Sequence, residues 1–305
     1  MLINFICLIF MMVFSLLSVA FLTLMERKVL SYIQLRKGPN KVGVLGVFQP
    51  FSDAVKLFTK EYIVLLKINF YPYWMSPTLG LFISLSLWLI YPWIHLLISW
   101  KYSILFMFTI LSMGVYSIMV SGWVSNSSYS ILGAIRSIAQ SISYEVSFFM
   151  IFICLIMFIS SFNFFMFNFM QSKIWLVLMT FPIFFMAFIS FLAELNRTPF
   201  DFSEGESELV SGFNIEYGGS GFAFIFLAEY LNILFASLLL SMVFLGSVVV
   251  IWFKLMLVSF LIILIRGVLP RYRYDKLMNL CWKSFLMVCL NMVLFYTFVL
   301  LLPVR

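Results

Sequence analysis

The sequence predicts an all-α integral membrane protein of eight transmembrane helices, with an amphipathic interfacial helix and long loops gathered on one face. Three observations carry that prediction: a composition too apolar for water, eight apolar stretches of spanning length, and basic residues sorted into alternate loops. Hydrophobic residues fill 64% of the 305 positions and charged residues 10%, with a mean hydropathy of +1.11; an ordinary globular domain is roughly half apolar and a quarter charged. A soluble fold needs polar surface that this chain lacks, whereas a bilayer accepts Phe, Leu, Ile and Met facing outward. Residues 1–305 therefore read as a single multi-spanning domain, and length sets the number of helices rather than of domains.

The first span covers roughly residues 2–25, an uncharged run too long for the apolar core of a signal peptide. It reads as a retained helix. Behind it, "MERKVLSYIQLRKGPNKVG" (25–43) places basic residues where interface anchors normally sit. Glu26 stands apart, because a carboxylate beside Arg27 at the mouth of a span suggests a paired site at the membrane surface. Gly38-Pro39 then turns the chain back over that mouth. Over residues 48–62, Val47, Phe51, Val55 and Phe58 recur at helical spacing with Asp53, Lys56 and Lys60 off the stripe, which predicts an amphipathic helix in the interface.

Further spans follow at about 73–97, 102–124, 138–160, 174–194, 222–245, 249–266 and 281–302, the sixth and seventh joined by a tight turn near Gly246. With the N-terminus on side one, fifteen of the nineteen Lys and Arg residues fall on side two, leaving Lys101, Lys173, Lys254 and Arg305 on side one. The positive-inside rule turns side two to the cytoplasm or matrix. The net charge of +7 is thus topology rather than nucleic-acid binding. The long connections, 26–72, 195–221 and 267–280, also lie on side two and mark it as the docking face.

Several chemistries are excluded. Cys7, Cys154, Cys281 and Cys289 form no CxxC pair and have only His95, expected exposed on side one, beside them, so no metal site is predicted. No GxGxxG follows a strand, so no nucleotide is expected on this chain. Neither a short repeat nor an inverted half-repeat is visible, which weakens a secondary-transporter reading.

All twelve acids lie in side-two loops or the adjacent half of a span. Counted from their span ends, Glu145 and Glu229 sit roughly 12 Å deep. A carboxylate at that depth costs several kcal/mol, so it is protonated, paired or set beside a water-filled cavity, and proton transfer is the favoured reading. The structural alternative is a pair such as Glu145 with Arg136. In "ELNRTPFDFSEGESELVSGFNIEY" (194–217) acids crowd around the single Arg197, which couples their titrations. If that stretch is helical, Asp201, Glu204 and Glu208 share a face and Glu206 points elsewhere; a solvated acidic loop is the competing reading.

Five long stretches run in order through the chain: "LMERKVLSYIQLRKGPNKVG", "QPFSDAVKLFTKE", "GAIRSIAQSISYEV", "AELNRTPFDFSEGESELVSGFNIEY" and "LPRYRYDKLM". On these the chain closely resembles the subunit 1 family of mitochondrial NADH:ubiquinone oxidoreductase (respiratory complex I), the membrane subunit next to the peripheral arm. The resemblance implies that Glu26, Arg27, Gln34, Arg36, Asp53 and Lys56 line or support a ubiquinone chamber. It assigns Glu145, Glu194, Asp201, Glu204, Glu206, Glu208 and Glu229, with Tyr144 nearby, to a polar route joining that chamber to the membrane arm. It further implies ubiquinone as substrate, no cofactor on this chain, and NADH, FMN and iron–sulfur clusters on other subunits. Peripheral-arm quinone-module subunits, neighbouring membrane-arm subunits and lipids are the implied partners, and the mitochondrial inner membrane, with long loops on the matrix side, the implied location. Such a subunit is not catalytic alone. The chain departs from the family pattern at Leu195, where many relatives carry Thr, and in a short connection near Gly246.

Overall fold

The computed structural model describes residues 2–61, 68–91, 100–171, 174–210, 212–246 and 250–301, with the backbone alone for residues 2, 3, 206 and 207. His95, and Lys67, Lys173 and Arg305 of the charge count, lie outside the described residues. Among the described residues the chain is all-helical, and seven helices are long and apolar enough to cross a membrane.

These seven are α1 (Leu2–Ile33), α3 (Phe70–Leu87, continued by a tighter turn to Ile90), α4 (Ser103–Val124), α5 (Ser128–Ile159), α10 (Gly219–Phe244), α11 (Ile251–Val268) and α12 (Tyr274–Leu301). Between them lie α2 (Gln49–Thr59), α6 (Phe164–Met170), α7 (Leu176–Met179), α8 (Phe181–Glu194) and α9 (Glu206–Leu209). Several helices outrun the apolar windows. The first continues from residue 25 to Ile33, α5 opens at Ser128 rather than 138, and α12 opens at Tyr274 rather than 281. An apolar window stops at the first charge, but backbone hydrogen bonding does not, and Glu, Arg, Lys and Leu are all good helix formers.

The predicted fifth span is not one helix. It breaks at Thr180 into α7 and α8, with Pro182 in the first turn of α8, where its missing N–H is tolerated. Thr180 is fully buried and satisfies the break locally, its backbone N–H and its hydroxyl both donating to the carbonyl of Leu176, at 2.9 and 2.8 Å. The fourteen residues of α8 are about 21 Å long, less than the roughly 30 Å of hydrocarbon.

The amphipathic segment does form a helix, α2, with Pro50 in its first turn. Its apolar stripe is partly used inside the fold: Phe51 meets Phe21 of α1 and Phe58 meets Phe224 of α10, edge to face, at 6.1 and 6.0 Å between ring centroids. The turn at Gly38-Pro39 brings the chain back on α1 as expected, and Lys28 donates to the carbonyl of Leu45 at 2.9 Å.

The central column is α10, which packs against α1, α2, α3, α8 and α11; every residue from Ile233 to Phe244 is buried. Its C-terminal carbonyls, which a helix end leaves without partners, are capped by side chains from elsewhere. Gln171 donates to the carbonyls of Met242 and Val243 at 3.2 and 2.7 Å, and Lys254 to those of Leu245 and Gly246 at 2.7 and 2.6 Å. The Lys254 ammonium also lies 5.0 Å over the ring of Trp175. A second, smaller core of Tyr73, Val124, Phe213, Tyr217 and Ile225 holds the connection before α10 against α3 and α4.

Candidate functional site

Five helices, α1, α5, α8, α10 and α11, and the connection after α8 bring charged groups together at the side-two ends of the bundle. Glu26 near the end of α1 is 5% exposed, and its two oxygens are separately engaged. One accepts from the guanidinium of Arg266 at the end of α11; the other accepts from the hydroxyl of Tyr230 in α10 at 2.6 Å. The paired site predicted at Glu26 exists, but its partner is Arg266, not the adjacent Arg27, because side chains one residue apart on a helix point in different directions. Arg27 reaches Asp53 of α2 instead, at 2.5 Å, with Gln49 donating to the other carboxylate oxygen at 3.0 Å.

Arg197, in the connection after α8, covers the ring of Tyr230 at 4.7 Å and donates to Glu229 at 3.2 Å. Burial opposes its positive charge, yet the carboxylates of Glu229, Glu26 and Glu204 and the hydroxyl of Tyr230 together raise its pKa above the ordinary arginine value. Arg197 is therefore a fixed cation among carboxylates. A space of only about 10 Å³, scarcely a water's worth, lies between Glu26, Tyr230, Arg197 and Arg266.

On the far side of Glu229 opens a cavity of about 120 Å³. Its polar wall carries Glu145 from α5, Glu194 from α8, Glu229 and Asn232 from α10, and Asn196; its apolar end is lined by Ile83, Leu87 and Ile110. The side-chain carbonyls of Asn196 and Asn232 are buried there and meet no donor among the described residues. Beside that polar wall, a space of this size has room for several waters. Glu145 thus faces a shared space rather than Arg136, which pairs with Glu208 at 2.5 Å. Tyr144, beside Glu145 in sequence, turns away from the cavity and donates to the carbonyl of Leu277 in α12 at 3.3 Å.

The acidic connection is not a single helical face. Residues around Asp201 to Gly205 turn, and α9 is only four residues long. Asp201 is held by Arg271 at 2.9 Å and accepts the backbone N–H of Glu204 at 3.2 Å; Asn214 donates to Glu204 at 3.3 Å. Glu208 stands exposed beside Arg136, and Glu206 opens α9 with its side chain outside the described set. Gly205, in the left-handed region at φ +48°, is what interrupts the helix.

The expected chamber residues do not converge as a group. Glu26 belongs to the buried line, Arg27 and Asp53 form a surface pair, and Arg36 donates to Gln34 at 2.9 Å in a separate exposed contact. Lys56 stands exposed on α2. Tyr230, Arg266, Arg271 and the two asparagines were not singled out by sequence. Asn232 could have been, since it follows Glu229 by three residues and so shares its helix face.

A family model for NADH dehydrogenase matches residues 6–297. The chain belongs to that family. Within the NADH dehydrogenase family it is 55% identical over 282 residues to NADH-ubiquinone oxidoreductase chain 1 of Aedes aegypti, an overlap of 92% of this chain and 90% of that protein. The protein of the same name from Apis mellifera ligustica is 48% identical over 300 residues, covering 95% of this chain and 96% of its own length. That of Branchiostoma lanceolatum is 49% identical over 282 residues, with 92% and 90% covered. The resemblance carried by the five motifs is confirmed at the level of the whole chain.

Proposed function

We propose that this chain is the chain 1 subunit of a proton-translocating NADH:ubiquinone oxidoreductase, forming much of the ubiquinone chamber and the carboxylate route that couples quinone reduction to proton movement. The observation that supports it best is the line of groups running from Glu26 through Tyr230 and Arg197 to Glu229, and on to the cavity faced by Glu145 and Glu194. Such a line is costly at membrane depth unless it is used.

Ubiquinone is the substrate, and electrons reach it from NADH through FMN and iron–sulfur clusters on other subunits. This chain supplies the shaped, charged surroundings. Reduction of a quinone takes up protons with the electrons and so changes the charge near the mouth of α1. Glu26, shared between Arg266 and Tyr230, feels that change first. Any shift of the Tyr230 ring moves the face on which Arg197 rests and alters the hold of Arg197 on Glu229. Glu229 then exchanges protons with Glu194 and Glu145 across a wet cavity, and the coupled charges bias the neighbouring membrane-arm subunits.

In this reading the broken helix α7–α8 makes the eighth crossing, α2 lies in the interface beside the chamber entrance, and the basic loops face the mitochondrial matrix from the inner membrane. Partners are peripheral-arm quinone-module subunits, adjacent membrane-arm subunits and lipid.

The test is Glu145→Gln in inner-membrane vesicles, with assembly checked and an artificial electron acceptor used to bypass quinone. The expected result is an assembled complex that reduces the artificial acceptor but loses quinone-linked pumping. Normal pumping would make the carboxylate structural and defeat the coupling mechanism.

A further inference from the structure

The acidic connection returns to the bundle through a pair of tyrosines. Tyr217, two residues before α10 begins, stacks face to face on Tyr73 of α3, with ring centroids 4.4 Å apart and planes 3° from parallel. Each hydroxyl reaches into the other's segment: Tyr73 donates to the carbonyl of Glu216 at 2.6 Å, and the hydroxyl of Tyr217 lies 2.9 Å from that of Ser76 in α3. Pro77 has no N–H to give to the carbonyl of Tyr73, four residues back. The hydroxyl of Ser76 lies 3.4 Å from that carbonyl, and either hydroxyl can be the donor in its bond with Tyr217. The carbonyl of Ser121 in α4, at 3.5 Å, is a weaker second acceptor for Tyr217.

Burial alone does not call for these hydroxyls, since two phenylalanines would fill the same core. Reciprocal, directional bonds between buried groups fix one register where apolar packing would tolerate several. The register in question bears on the carboxylate cavity. Ser76 and Ser121 line it, and so do Ser203 and Phe213, the parts of the acidic connection that contribute to its wall. Phe213 packs in the same small core as both tyrosines.

We propose that Tyr217 is a positioning residue for the cavity of Glu145, Glu194 and Glu229: it is not among the residues lining that cavity, but it latches the acidic connection to the proline turn of α3 and so holds that wall of the cavity in place. The inference rests on the coupling role assigned above to those carboxylates. With the latch loosened, Ser203 and Phe213 shift, outside water gains access, and protons leak past the route instead of being driven through it. A small misplacement is enough, because positional effects on chemistry are steep over an ångström.

The experiment compares Tyr217→Phe, Ser76→Ala, their double variant and Glu145→Gln in the assembled complex in inner-membrane vesicles. It records artificial-acceptor reduction, kcat and KM for a soluble ubiquinone analogue, and protons pumped per NADH oxidised. Tyr217→Phe keeps the stacked ring and loses only the hydroxyl. The expected result is unchanged artificial-acceptor activity and KM, with pumping lowered about fivefold, the factor that one lost hydrogen bond is worth. The double variant should lose less than the two single losses combined, because both delete the bond between the two hydroxyls. Normal pumping in either single variant overturns the inference. So does failure of both to assemble, which would make the bond structural only; if one assembles, that one decides. If Glu145→Gln itself pumps normally, the coupling role falls and takes the inference with it. Pumping lost in Glu145→Gln but intact in Tyr217→Phe removes only the latch.

Discussion

Arg197 lies 4.7 Å over the ring of Tyr230 while its guanidinium holds Glu229 at 3.2 Å, so two consecutive residues of α10 are gripped by one side chain from another part of the chain. Glu229 and Tyr230 point in different directions from their helix, one toward the cavity and one toward Glu26. The arginine bridges the two directions.

Tyr230→Phe keeps the ring under Arg197 and removes the donor to Glu26. Assembly should persist, while quinone-linked turnover falls about tenfold, because a hydrogen bond to a charged group is worth roughly 1.5–3 kcal/mol. Steady-state NADH oxidation with ubiquinone, set against artificial-acceptor reduction, checks it; equal rates with both acceptors would disprove it.

Arg197→Met leaves Glu229 without its ion-pair partner. Breaking a buried pair from one side costs about 3–5 kcal/mol, so the assembled complex should be largely lost on native gels. Arg197→Met with Glu229→Gln removes the uncompensated charge and should restore assembly without restoring pumping. If the double variant is as poorly assembled as the single one, the charge is not what matters.

Lys254→Met and Gln171→Leu each uncap the end of α10. Each should lower the thermal stability of the purified complex by the equivalent of about 1–3 kcal/mol, the cost of leaving buried carbonyls unmatched. Turnover per assembled complex should stay near normal, because the cap lies at the end of α10 remote from Glu229. A variant that keeps its stability but loses turnover would show the cap to be functional.

Arg136→Ala removes the partner of Glu208. Both side chains are substantially exposed, at 34% and 49%, and such pairs contribute about 0–1 kcal/mol. Assembly and pumping should change little, and the small effect should shrink further in high salt. A large loss would mean that another subunit covers this pair.

The membrane class, the helical content and the order of the spans were legible because hydrophobic length is a strong local signal. The break at Thr180 was less so: the residues on either side of it are as apolar as any span, and window averages cannot see a hydroxyl bonding back to its own turn. Glu145 and Glu229 were legible as acids set in from a span end, and the structure places both, half-buried, on one cavity. Their surroundings were not, since Glu26 meets Arg266 and Tyr230, residues 240 and 204 positions away, and no periodicity reports such contacts. The expected helical face of Asp201, Glu204 and Glu208 failed at Gly205, whose left-handed backbone a spacing rule ignores.

The pairing of Glu26 with Arg266 has a consequence for how the protein is made. A chain is synthesised from its N-terminus, so α1 enters the bilayer when 240 residues still separate its carboxylate from the guanidinium that will neutralise it. Until α10 and α11 arrive, Glu26 must stay hydrated at the membrane surface. The first helix therefore cannot sink to its final depth before α11 has been made, and a chain arrested before that helix carries a carboxylate at its first span without the partner that holds it in the folded protein.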